Sequence, residues 1–100
     1  MARPAKLPDS EITAALAALP GWARTGDVIS KSFQLPTFPD AIAFVVRIGF
    51  FAERADHHPD LDIRWRRVDV ALTTHDADGL TQLDLDLASE INAIPLGGGE

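Results

Sequence analysis

Seven apolar residues, Ala41, Phe44, Val45, Ile48, Phe51, Ala52 and Ala55, recur at helical spacing and merge into one continuous stripe. Thr37 offers a capping oxygen just before them, and Asp40 suits the positive end of a helix. The pattern predicts a helix from Thr37-Phe38-Pro39-Asp40 to about Asp56, with Pro59 closing the region. So wide a stripe must lie against a broad apolar surface, and 100 residues have room for one domain to provide it. Residues 1–100 therefore read as a single domain, with 1–6 and 96–100 as flexible ends. A second stripe, Ile42, Val46 and Phe50, runs along the same helix. It fits a helix sunk deep in the core or a contact between subunits, and the pattern leaves both open.

The other elements follow from shorter patterns. Asp9 and Ser10 can cap a helix carrying Ile12, Ala15, Leu16 and Leu19, which Pro20-Gly21 stops. After Trp22, Thr25-Gly26-Asp27 marks a hairpin turn. Ile29, Phe33 and Leu35 then lie on one side of a strand, with Ser30, Ser32 and Gln34 on the other. Lys31 interrupts the apolar side, which points to an edge or a short strand. A short strand is expected at Ile63 to Trp65 and a longer one from Arg67 to Thr74, where Val68, Val70 and Leu72 alternate with polar neighbours. Thr81 can cap a last helix, with Asp84 at the capping-box position and Leu80, Leu83, Leu87, Ile91 and Ile94 as its stripe. The order is helix, two strands, helix, two strands, helix. It predicts an α+β fold, a four-stranded antiparallel sheet with helices packed on one face.

Charge and composition narrow the functions. Nine basic residues stand against 15 acidic ones, a formal net charge of −6, and no basic block is present. Direct nucleic-acid binding and anionic membranes are both disfavoured. No apolar run approaches the ~20 residues of a membrane span, and Met1 to Pro8 lacks the apolar core of a signal peptide. Cysteine is absent, which removes disulfides, thiolate zinc sites and cysteine nucleophiles and fits a reducing, cytoplasmic setting.

What chemistry remains centres on His57, His58 and His75. Glu53 precedes His57 by four residues, so on a continuing helix its carboxylate can fix the imidazole tautomer. An imidazole, with an ordinary pKa of ~6.5, suits proton transfer near neutrality. The plainer alternatives are a polar helix cap at His57, a loop residue at His58 before Pro59, and a solvated strand end at His75. Asp84 borders an apolar stripe and needs a partner, either the Thr81 backbone or a group of the site. Trp22 and Trp65 read as core or as an aromatic surface for a flat ligand. An open zinc site is disfavoured because adjacent histidines project in different directions. No phosphate loop or nucleophile elbow is present.

Glu53-x-x-x-His57-His58-Pro59, followed by Trp65, His75 and Asp84, resembles the signature of the pterin-4a-carbinolamine dehydratases. Gly21-Trp22, Phe33, Ala52-Glu53, Thr73-Thr74-His75 and Gly79-Leu80-Thr81 extend the similarity from about Leu16 to Ile94. The resemblance implies dehydration of 4a-hydroxytetrahydrobiopterin to quinonoid dihydrobiopterin, with no metal and no other cofactor. It implies acid–base work by His57 and His75, with His58 positioning the pterin and Glu53 and Asp84 orienting the histidines. Asp56, His57, His58, Pro59, Thr73, Thr74, His75 and Asp76 would contact the substrate. It also implies a homodimer joined edge to edge through its sheets, or a homotetramer paired through the long helix, where Ile42, Val46 and Phe50 are the expected contact. Leu61 and Trp65 depart from the residues common in the family and bear on the mouth of the site. The alternative is a non-catalytic dimerisation or interaction module on the same fold.

Overall fold

In the computed structural model, residues 4–96 are described. The expectations for residues 1–3 and 97–100 lie outside them. The elements are α1 (Asp9–Leu16), β1 (Ala23–Thr25), β2 (Val28–Gln34), α2 (Phe38–Ala55), β3 (Asp60–Arg64), β4 (Arg67–Leu72), the short 3-10 helix η1 (His75–Ala77) and α3 (Gln82–Asn92). The four strands form one antiparallel sheet in the order β1-β2-β4-β3.

Register explains why one face of the sheet collects the helices. Ile29 stands opposite Leu72, Lys31 opposite Val70 and Phe33 opposite Val68. Leu61 and Ile63 continue the same rows on β3. Directly paired residues of an antiparallel ladder project to one side, so these side chains share a face. The other face is polar: Ser32 donates to Asp69 at 2.6 Å, and Arg67 pairs with Asp69 at 3.3 Å. The apolar face meets Ala41, Phe44, Ile48 and Ala52 of α2 and Leu85, Leu87, Ala88 and Ile91 of α3 in one core. Within it Phe33 packs against Phe44 at 4.8 Å between ring centroids and edge-on to Trp22 at 6.2 Å.

Strand β2 is internal, not an edge, because Lys31 is accommodated without leaving the apolar side. Its stem crosses the Phe33 ring, with Nζ 4.7 Å from the centroid. The ammonium then donates to Pro20 O and Asn92 Oδ1, both at 2.8 Å. Burial pushes the pKa of this lysine down. Strand β3 begins at Asp60 and ends at Arg64, earlier than the apolar pattern suggests. Asp60 and Asp62 occupy the polar face, and Trp65 is a left-handed turn residue at φ 57°. Trp65 is 70% exposed there, whereas Trp22 belongs to the core. In α1 the cap is Pro8, and Asp9 lies inside the first turn, paired with Arg24 at 3.0 Å.

The long helix starts as its sequence demands. Thr37 Oγ1 accepts from the Asp40 N–H at 3.2 Å, and Pro39 occupies the first turn, where no N–H is needed. Ile42, Val46 and Phe50 are 38%, 52% and 72% exposed, so α2 is not sunk in the core on all sides. Gly49 lies on that outer strip, with nothing within 4 Å of the place a Cβ would take.

Candidate active site

Two chain reversals bring the histidines together. Helix α2 must stop before Pro59, because the residue preceding a proline is driven out of the helical region. It stops at Asp56, which adopts the left-handed conformation at φ 51°, ψ 44°. The N–H of His57 then donates back to Ala52 O at 3.0 Å, capping the helix and turning the His57 side chain inward. The second reversal follows β4. Thr74 and Gly79 exchange backbone hydrogen bonds of 3.1 and 3.3 Å, and the loop between them carries His75 and Asp76 on η1. Asp78 closes that turn in a second left-handed conformation.

His57, His58, Thr73, Thr74, His75 and Asp76 line one cleft of about 180 Å³. An adjoining hollow of about 330 Å³ runs from Thr73, Thr74 and His75 to Asp27, Asp78 and Gly79. Thr73 Oγ1 is anchored there on Asp27 O at 2.5 Å. The larger hollow between α1 and α3, about 480 Å³, is floored by Ala14, Ala15, Ala18 and Leu19 and lies away from every histidine. Convergence of titratable groups, rather than size, therefore marks the histidine cleft as the site.

His57 is 5% exposed and Asp84 is fully buried. Their contact, Nε2 to Oδ1, is 2.6 Å. The other oxygen of Asp84 accepts from Thr74 Oγ1 at 2.8 Å and from the Thr81 N–H at 2.9 Å. Thr74 Oγ1 and Thr81 Oγ1 are 2.8 Å apart, and Thr81 Oγ1 also accepts from the Leu83 N–H at 3.2 Å. Asp84 is thus both the capping-box carboxylate of α3 and the partner of His57. The two uses that its sequence position suggests are made by its two oxygens.

Glu53 does not hold His57. The helix ends too early for that pairing, and Glu53 Oε1 instead meets Nε2 of His58 at 3.0 Å on an exposed rim. His75 is exposed at the head of η1. Asp56 and Pro59 are not among the residues lining the cleft; they set the turn that presents His57 and His58. Thr81 is the participant that pattern reading assigns only to a helix cap. The signal was the Thr-x-x-Asp spacing itself, since a cap carboxylate this close to an apolar stripe has a second oxygen to satisfy. Among the described residues no three His, Cys, Asp or Glu side chains converge to hold a metal ion, and no helix is long and apolar enough to cross a membrane.

Comparison with known proteins places this arrangement. The family model described as pterin 4 alpha carbinolamine dehydratase matches residues 5–94. A protein of Roseiflexus sp. (strain RS-1) named for that dehydratase is 61% identical over 89 residues, covering 89% of this chain and 96% of its own length. A crystal structure described as a transcriptional coactivator/pterin dehydratase from Brucella melitensis superposes with a TM-score of 0.85 at 39% identity, covering 88% of this chain and 96% of that one. A pterin dehydratase-like protein identified as a RuBisCO assembly factor shares the fold, with a TM-score of 0.61 at 18% identity over 79% of this chain and 89% of that one.

Proposed function

Because the chain belongs to the pterin 4 alpha carbinolamine dehydratase family, we propose that it is a hydro-lyase that dehydrates 4a-hydroxytetrahydrobiopterin to quinonoid dihydrobiopterin by histidine acid–base catalysis. The observation that carries the reading is the buried His57–Asp84 contact at the base of a cleft that His58 and His75 also line. In the reaction the bond from C4a to its hydroxyl breaks, and the neighbouring ring N–H gives up its proton as the C=N bond forms. Hydroxide is a poor leaving group, so one acid must protonate it and one base must take the ring proton. His57 and His75 are the two imidazoles for these steps. His58, tethered to Glu53, holds the pterin at the rim, and Thr73 and Asp76 shape the cleft wall. Asp84 lies behind His57 and acts through it. A cytoplasmic setting fits a chain without cysteine.

The test is stopped-flow absorbance on freshly generated 4a-hydroxytetrahydropterin, which dehydrates slowly by itself. Acceleration that persists with a chelator and is lost in His75→Ala is expected. No acceleration by folded protein overturns the reading.

Assembly is part of the same proposal. The strip Ile42, Val46, Phe50 is apolar and exposed on an otherwise acidic chain, and it suits the matching strip of a second copy. Gly49 supports this, since a mid-helix glycine has no packing reason within the chain and lets a neighbouring helix approach. This strip also favours the interaction-module reading. The presence of Glu53, His57, His58, His75 and Asp84 together sets the enzyme first.

A further inference from the structure

We infer that Thr74 is a positioning residue that braces the Asp84 carboxylate against His57 and holds His57 in register with His75. Only the kinetic arm of the argument rests on the dehydratase reading. The resemblance places Thr74 among residues that contact substrate, and it borders the cleft, yet its hydroxyl is engaged with Asp84. Thr74 is 2% exposed, and its hydroxyl lies 2.8 Å from Asp84 Oδ2.

A hydroxyl has one hydrogen, and a carboxylate only accepts. The Thr74 hydrogen therefore goes to Asp84. The 2.8 Å contact with Thr81 then requires Thr81 Oγ1 to donate and Thr74 Oγ1 to accept. Thr81 Oγ1 in turn accepts from the Leu83 N–H. Every donor in this chain points toward Asp84. With Oδ2 taken by Thr74 and by the Thr81 N–H, Oδ1 is left for His57. His57 must meet it with a hydrogen on Nε2, so the nitrogen presented to a ligand is Nδ1. The backbone of Thr74 completes the coupling. Its N–H and C=O pair with Gly79 and close the loop that starts at His75. One residue thus braces the partner of one imidazole through its side chain and sets the position of the other through its main chain.

The test combines nitrogen NMR of the imidazoles, taken alkaline of their titration, with steady-state kinetics. Thr74→Val removes the hydroxyl at nearly constant volume, and Thr74→Ser keeps it. Wild type and Thr74→Ser are expected to show His57 with hydrogen on Nε2. Thr74→Val is expected to keep hydrogen on Nε2, since Asp84 still only accepts, but to shift the His57 nitrogen resonances and to lose about 10-fold in kcat with KM little changed, the usual scale for a partner that acts through another side chain. Unchanged His57 resonances and kcat in folded Thr74→Val overturn the proposal. If that variant does not fold, Thr74→Ala is read in the same way, and hydrogen on Nδ1 of His57 in wild type also overturns the proposal. Shifted His57 resonances in the variant, with no dehydration by wild type, reject the dehydratase reading and keep the role of Thr74.

Discussion

Asp84 reaches His57 from behind: Oδ1 lies 2.6 Å from Nε2, and Asp84 has no exposed surface with which to touch a ligand. In the proposed reaction, any effect it has must pass through the imidazole. Asp84→Asn keeps the shape but replaces one acceptor with an NH₂. If the amide oxygen stays with Thr74 and the Thr81 N–H, the NH₂ faces His57 and forces Nε2 to accept. That is the wrong tautomer for a proton-transfer group whose partner is meant to stabilise the imidazolium. Turnover is expected to fall by about 10²-fold or more, and the buried mismatch to cost about 1–3 kcal/mol. Stopped-flow dehydration and urea unfolding measure the two effects separately. A wild-type rate in the folded variant would show that His57 works without its carboxylate.

His57→Ala and His75→Ala should separate function from stability. Both remove an imidazole from the cleft, and each is expected to lower turnover by about 10²-fold or more. Their folding costs differ. From the apolar stripes, folding is expected to survive both changes, because neither histidine belongs to a stripe. The structure adds a cost at His57, which is buried and satisfies Asp84 Oδ1. Leaving that oxygen without a partner should cost about 1–3 kcal/mol, whereas exposed His75 should change stability by no more than about 0.5 kcal/mol. Equal unfolding midpoints for the two variants would contradict the buried contact.

The reach of the sequence ends where contacts become non-local. Helix α2 is legible from Thr37, its stripe and Pro59 because each signal lies within a turn of the feature it sets. The α+β order is legible because hairpins and helices have different periods. The partner of His57 is not, since Glu53 is the local candidate and Asp84 stands 27 residues away. Only the turn at Asp56 decides between them, and a left-handed aspartate has no periodic signature. Lys31 misleads for a related reason. A lysine on an apolar row reads as an edge until the acceptors at Pro20 and Asn92, from elsewhere in the chain, are known.

Gly21 tests that lysine's seat. It holds φ +86°, and a Cβ there would stand 2.6 Å from Lys31 Cε. Gly21→Ala therefore carries backbone strain and displaces the stem that covers Phe33. A loss of about 1–2 kcal/mol is expected in urea unfolding, with kcat unchanged, because the position lies outside the cleft. A neutral or stabilising result would mean that the turn and the lysine relax together at no cost.

Assembly through α2 makes the last prediction. Val46 is 52% exposed between Ile42 and Phe50, so within one chain an aspartate there should shift stability by no more than about 0.5 kcal/mol. In an isologous contact each Val46 meets the same strip of the partner, and Val46→Asp brings two carboxylates into one apolar seam. The variant is expected to lose the larger assembly in light scattering while keeping its helix content by circular dichroism. Gly49→Ala separates close packing from charge. It should raise helix stability by about 0.4–1 kcal/mol in a lone chain but weaken a seam whose helices approach at Gly49. A wild-type mass in both variants, with α2 intact, would exclude the strip as the subunit contact and leave it for a different protein partner.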